Sequence, residues 1–144
     1  MREQSRNPLA TDPKRPGRSV LLVEDDPVTQ TELARALTDS GARVVGTGSG
    51  EAALALLEEW PAGVVVVSDG IAGMSGLEIA RRIHASSPGV SIVLMSEPEG
   101  EKESEAKAIA ARLAGVFAML TKPFDRRMLA ELVVALVVAG DVLA

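Results

Sequence analysis

No cysteine occurs among the 144 residues, which removes disulfides, thiolate metal sites and cysteine nucleophiles and allows a reducing cytoplasm. Aromatic residues make up 2% of the chain against 47% hydrophobic residues overall, so a core must be built from Val, Leu, Ile and Ala rather than from rings. Long apolar runs are missing too. The longest, Leu132 to Ala139, is far too short to span a bilayer. The opening segment has Arg2 and Arg6 but no apolar stretch of the kind a secretory signal needs. Positive charge is in deficit, with a formal net charge of -5, which argues against a surface built to neutralise nucleic-acid phosphates. These absences lead us to expect a soluble, cytoplasmic protein that binds neither nucleic acid nor membrane. The length suits one domain with a real core and is too short for two ordinary ones.

Residues 1–18 hold Pro8, Pro13, Pro16 and Gly17 among polar, mostly basic residues, a composition expected to stay disordered, so the domain should occupy 19–144. From Ser19 on, short β-branched apolar runs alternate with longer stretches of helical spacing. The runs Val20–Val23, Arg43–Gly46, Val64–Ser68, Ser91–Met95 and Phe117–Leu120 read as strands. Helices are expected over about Pro27–Ser40, Glu51–Trp60, Gly76–Ala85, Glu99–Leu113 and, after a capping Asp125, to about Ala139. In the fourth helix the late Lys107 and Arg112 suit the helix dipole. Strands such as "VVVVS" that are apolar on both faces imply a parallel sheet covered by helices on both sides, an α/β doubly wound fold.

In such a sheet ligands bind beyond the carboxyl ends of the strands. Strand 1 ends in Glu24 and Asp25, strand 3 in Asp69, strand 4 in Ser96 and strand 5 in Lys122. With strands 1 and 3 as neighbours, three carboxylates converge and repel one another unless a cation sits among them. A hard divalent ion, Mg²⁺ above all, fits that donor set, and Lys122 adds a fixed positive charge. A metal and a lysine around one carboxylate suit phosphoryl chemistry, with Asp69 as a nucleophile that forms an aspartyl phosphate and the Ser96 hydroxyl on a phosphoryl oxygen.

Over about Ser19 to Ala139 the sequence resembles the receiver domains of two-component response regulators, through "LLVEDDP", "VVVVSDG…MSGLEI", "IVLMSE" and "AMLTKPF" in that order, with the family's usual separation between Asp25 and Asp69. The resemblance implies a flavodoxin-like five-stranded sheet of order 2-1-3-4-5. It implies phosphoryl transfer to Asp69 from the phosphohistidine of a sensor histidine kinase or phosphotransfer protein. Asp25 and Asp69 would ligate Mg²⁺, Glu24 would help through water, and the Ile71 carbonyl would complete the protein ligands. Lys122 would pair with Asp69 and then with the phosphoryl group, across a Lys122–Pro123 bond commonly cis in the family. Ser96 would move inward and reshape the surface of helix 4, strand 5 and helix 5.

Several positions depart from the family pattern. The loop after Asp69 is one residue short and lacks a Met-Pro pair, Met119 stands where an aromatic often follows the Ser96 movement, and the chain between Ser96 and Gly115 is about one helical turn longer than usual. Met119 would then repack as a flexible thioether rather than rotate a ring. Ile71 and Pro98, both non-acidic, predict a long-lived phosphoaspartate. The fifth helix is apolar on both sides, with Leu129, Leu132, Val133, Leu136 and Val137 inward and Met128, Val134, Ala135 and Val138 outward, which predicts pairing with a second copy or a downstream partner.

Plainer roles suit other features. "GTGSG" (46–50) is a permissive turn rather than a phosphate loop, His84 a solvated surface residue and Trp60 a packing residue at a helix end. The expectation is a stand-alone receiver working in a phosphorelay or by protein contacts, and not an enzyme in its own right. The alternative is a degenerate receiver acting as a phosphorylation-independent scaffold. An aspartate-nucleophile phosphohydrolase ranks last, because Asp69 is followed by Gly70 and Ile71 rather than by an Asp-x-Asp pattern.

Overall fold

The computed structural model describes residues 19–143, with side chains to residue 140; the expected tail, 1–18, lies outside the described residues. Five strands alternate with five helices: β1 Ser19–Val23, α1 Pro27–Asp39, β2 Arg43–Thr47, α2 Gly50–Glu59, β3 Val64–Ser68, α3 Gly76–Ser86, β4 Ser91–Ser96, α4 Glu101–Leu113, β5 Val116–Thr121 and α5 Arg126–Leu143. The strands form one parallel sheet, as the alternating pattern predicts, and its order β2-β1-β3-β4-β5 is the one the family resemblance implies.

Alternate residues of the buried strands serve two separate cores, because successive side chains point to opposite faces of a sheet. Val20, Leu22, Val64, Val66, Val93 and Met95 pack under α1 and α5. Leu21, Val23, Val65, Val67, Ile92 and Leu94 pack under α2, α3 and α4. Leu129 and Val133 seal the first core from α5, while Ile79 and Ile83 seal the second from α3. Complete burial of β1 and β3 on both faces explains their unbroken apolar sequences.

Short polar residues turn the ends of β1, β2, β3 and β5 into helix starts. Asp26 caps α1 by accepting from Thr29 N (3.0 Å), Ser49 caps α2 through Ala52 N, and Ser75 caps α3 through Glu78 N. Asp125 accepts from Arg127 N at the head of α5, as expected. Trp60 ends α2 and stacks under the Arg43 guanidinium, 5.8 Å from the ring centroid. Two boundaries differ from the sequence expectation. The fourth helix begins at Glu101 rather than Glu99, because Gly100 interrupts the pattern without a side-chain cap. The fifth runs past Ala139 to Leu143, since nothing in the sequence after Ala139 is a strong enough stop.

The outward face of α5 also differs. Val134 is half-buried against the core, leaving Met128 and Val138 as the large exposed apolar side chains among the described residues of this helix. More exposed ones are Val28 on α1 and, grouped on α4 and β5, Ile109, Leu113 and Phe117. Among the described residues no helix is long and apolar enough to cross a membrane.

Candidate functional site at the carboxyl edge of the sheet

The sheet register brings the candidate residues to one level. Val23 pairs with Val67 and Ser68 with Met95, and the backbone ladder continues one step beyond the strands. Glu24 N donates to Thr47 O (2.9 Å), Asp69 N to Met95 O (2.9 Å) and Lys122 N to Ser96 O (2.8 Å). Asp25, Asp69 and Ser96 therefore emerge side by side, as parallel pairing at adjacent strands requires.

Asp69 follows β3, the central strand, and its side chain is 15% exposed. Behind it stands Gly76, the first residue of α3. A Cβ there would come within 2.8 Å of Ser68 O and 2.9 Å of Asp69 Cα, so only glycine lets α3 start this close to the carboxylate. Asp25 Oδ2 accepts from Ala72 N at 3.2 Å, which ties the shortened loop after Asp69 back to β1. Ile71, in that loop, is buried in the second core.

Glu24 is 4% exposed. Its Oε2 accepts from Asp26 N at 2.9 Å, its main-chain oxygen accepts from Gln30 Nε2 at 2.8 Å, and Oε1 is buried without a hydrogen-bond partner. An orphaned, buried carboxylate oxygen beside two further acids calls for a cation or an ordered water. Among the described residues no group of three His, Cys, Asp or Glu side chains is gathered ready to hold a metal. Mg²⁺ keeps several waters and takes one or two carboxylates, so the residues at this edge fit it without such a cluster. Asp26, at the rim, is held below the usual carboxylate range by hydrogen bonds from the Thr29 hydroxyl and amide.

Two lysines reach this edge, and their placement differs from what the family resemblance implies. Lys122 does not pair with Asp69. Its ammonium donates instead to Glu97 Oε2 (2.9 Å), on the residue after β4, and to Ser68 Oγ (3.1 Å). Asp69 Oδ2 is instead met by Lys107 Nζ from α4 at 2.5 Å. The same ammonium lies 3.3 Å from Ser96 Oγ and pairs with Glu99. Burial pulls the Lys107 ammonium toward deprotonation, but its hydrogen bonds to Asp69 and Glu99 outweigh this and hold its pKa above the ordinary lysine value. Ser96 is 3% exposed and donates to Glu97 O at 3.2 Å. The Lys122–Pro123 bond is cis. Met119 is half-buried and packs against the second core.

Glu24, Asp25, Asp69, Ser96 and Lys122 all lie at this edge, while Lys107, Glu97, Glu99, Ser68 and Gly76 join them without having been singled out by sequence. A fold in which α4 returns toward the sheet makes Lys107 reachable, and the extra helical turn before Gly115 was the signal that this segment is built differently.

The response regulator receiver domain profile matches residues 20–134. The chain belongs to the response regulator receiver family. The receiver is 29% identical over 123 residues to the transcriptional regulatory protein AfsQ1 of Streptomyces coelicolor, covering 85% of the chain and 52% of that regulator. It is 37% identical over 109 residues to the virulence sensor protein BvgS of Bordetella pertussis, covering 72% of the chain and 9% of the sensor. The receiver thus spans about half or less of the length of these curated relatives. In fold it is similar to the CheY-like receiver domain protein of Methanospirillum hungatei, with a TM-score of 0.78 at 20% identity over 88% of this chain and 98% of that one.

Proposed function

We propose that this receiver accepts a phosphoryl group on Asp69 from the phosphohistidine of a sensor histidine kinase or phosphotransfer protein, in a Mg²⁺-dependent reaction. The observation that carries the reading is Asp69 at the carboxyl end of the central strand, level with Asp25 and Ser96 and already in contact with an ammonium group. An Asp69 carboxylate oxygen forms the P–O bond as the donor's P–N bond breaks, and the bonding pair leaves on the imidazole nitrogen. Asp25, Asp69 and the Ile71 carbonyl would hold the metal, with Glu24 acting through water; when bound, the ion neutralises phosphoryl oxygens. The Ser96 hydroxyl would donate to one phosphoryl oxygen, and a lysine ammonium would neutralise another; the family resemblance assigns that role to Lys122.

In this reading the receiver is an acceptor and not a turnover enzyme. Its output is the surface of α4, β5 and α5, where Ile109, Leu113 and Phe117 are exposed and Met119 lies beneath. That apolar surface suits a second copy or a downstream protein, in place of the α5 face alone.

The test is intact mass after incubation with acetyl phosphate and Mg²⁺, wild type beside Asp69→Asn. A Mg²⁺-dependent gain of one phosphoryl group, absent in the variant, is expected. The alternative of a phosphorylation-independent scaffold draws on one observation, the engagement of both lysines by carboxylates. No mass gain in either protein would favour that scaffold and overturn the acceptor reading.

A further inference from the structure

We propose that Lys107 of α4, in addition to Lys122, is a cation that neutralises the phosphoryl group on Asp69. The inference rests on the acceptor reading above and assigns one of its roles to a residue outside the family's motifs. Lys107 Nζ touches both groups that would hold the phosphoryl: Asp69 Oδ2 at 2.5 Å and Ser96 Oγ at 3.3 Å. Lys122 Nζ hydrogen-bonds to neither; its partners are Glu97 and Ser68.

Pre-organisation favours the same residue. The Lys107 side chain is 14% exposed and Glu99 holds its ammonium from the far side, so the charge is already fixed where negative charge develops. Moving Lys122 onto Asp69 would require breaking its contact with Glu97, whereas Lys107 needs only to shift from a carboxylate oxygen to the oxygens of the group bonded to it. The phosphoryl adds negative charge at the same spot, so the tie between the acceptor and α4 tightens on phosphorylation. In this receiver the output helix itself contributes a ligand to the phosphoryl group.

The test compares wild type with Lys107→Gln, Lys107→Arg and Lys122→Gln, with Lys102→Gln as a control on the same helix. Phosphorylation by acetyl phosphate is followed by intact mass, and binding of beryllofluoride with Mg²⁺ by ¹⁹F NMR. Lys107→Gln should slow phosphorylation and weaken beryllofluoride binding by about a hundredfold to a thousandfold, the scale of losing one pre-organised donor. Lys122→Gln should also slow labelling, Lys102→Gln should change neither readout, and Lys107→Arg should recover part of the Lys107→Gln loss, which a purely structural role would not require. Should the Gln variant lose its fold, Lys107→Met serves the same comparison with a similar shape. A folded neutral variant that is phosphorylated as fast as wild type, or faster, overturns the assignment, because the ammonium would then merely mask the acceptor. A wild-type chain that takes up no phosphoryl group sinks the acceptor reading and this inference together, while a labelled wild type beside an equally labelled Lys107→Gln sinks the inference alone.

Discussion

Glu24→Gln should make the metal-free protein more stable and its metal response weaker. Glu24 is 4% exposed, one carboxylate oxygen has no partner, and Asp25 and Asp26 follow it directly. Leaving a buried acceptor unsatisfied costs about 1–3 kcal/mol. Glutamine keeps a carbonyl oxygen for the Asp26 amide while removing a charge from beside two others. The amide nitrogen that replaces the orphaned oxygen is itself unpartnered, so the gain comes from the lost charge repulsion and should be about 1 kcal/mol, a rise of about 2–6 °C in melting temperature for a domain of this size. The assay is thermal unfolding by circular dichroism, first with a chelator and then with excess Mg²⁺. Ligand binding stabilises the wild type by about 2.7 kcal/mol at a metal concentration of 100 times the Kd, and the variant should gain less. The two melting curves should therefore converge or cross as the metal is added. A Glu24→Gln protein that melts below wild type in the chelator would refute the reasoning, since the third negative charge would then be no burden to the fold.

Three further outcomes follow from the geometry. Gly76→Ala should destabilise by about 1–3 kcal/mol despite the better helix propensity of alanine, because the added Cβ meets backbone at Ser68 and Asp69; urea unfolding measures it, and phosphorylation should slow as the acceptor is displaced. Leu129→Ala, at a fully buried position in the core under α1 and α5, should cost about 2–5 kcal/mol in the same assay. Hydrogen bonds from Arg81 and Arg82 hold the Glu78 carboxyl down at about 2, below its unfolded value of 4.5. Their contribution is fully present above the unfolded value and is lost as pH falls from there toward 2, so Glu78→Gln should flatten the acid limb of a stability–pH profile over that window.

Much of the fold was legible because strand and helix periods differ so plainly in this chain. "VVVVS" has no polar face and can only be a strand buried on both sides, and it occupies that place, residue for residue, as β3. Asp25, Asp69 and Ser96 were legible because a parallel sheet delivers successive strand ends to one edge. The lysines were not. Lys122 sits at the expected strand end, but its contact depends on Glu97, a surface-type residue whose position says nothing of what it will intercept. Lys107 lies 38 residues from Asp69 in sequence on a helix whose late positive charge has an ordinary explanation in the dipole, so its reach to Asp69 emerges only from tertiary packing. On the outward face of α5, Met128, Ala135 and Val138 are exposed as expected, and Val134 alone was misjudged for a related reason: it looks solvent-facing in a helical projection, yet it packs against the core.

The division of the sheet into two cores separates two routes by which another protein would sense the site. α4 lies on one side with α2 and α3, and its lysine touches the acceptor; α5 lies on the other side with α1. A protein docked on α4 would read the acceptor at first hand, whereas one docked on α5 would receive the same change only after it had crossed the sheet. Two listeners on opposite sides of one domain would then differ in sensitivity, with no second input needed to tell them apart.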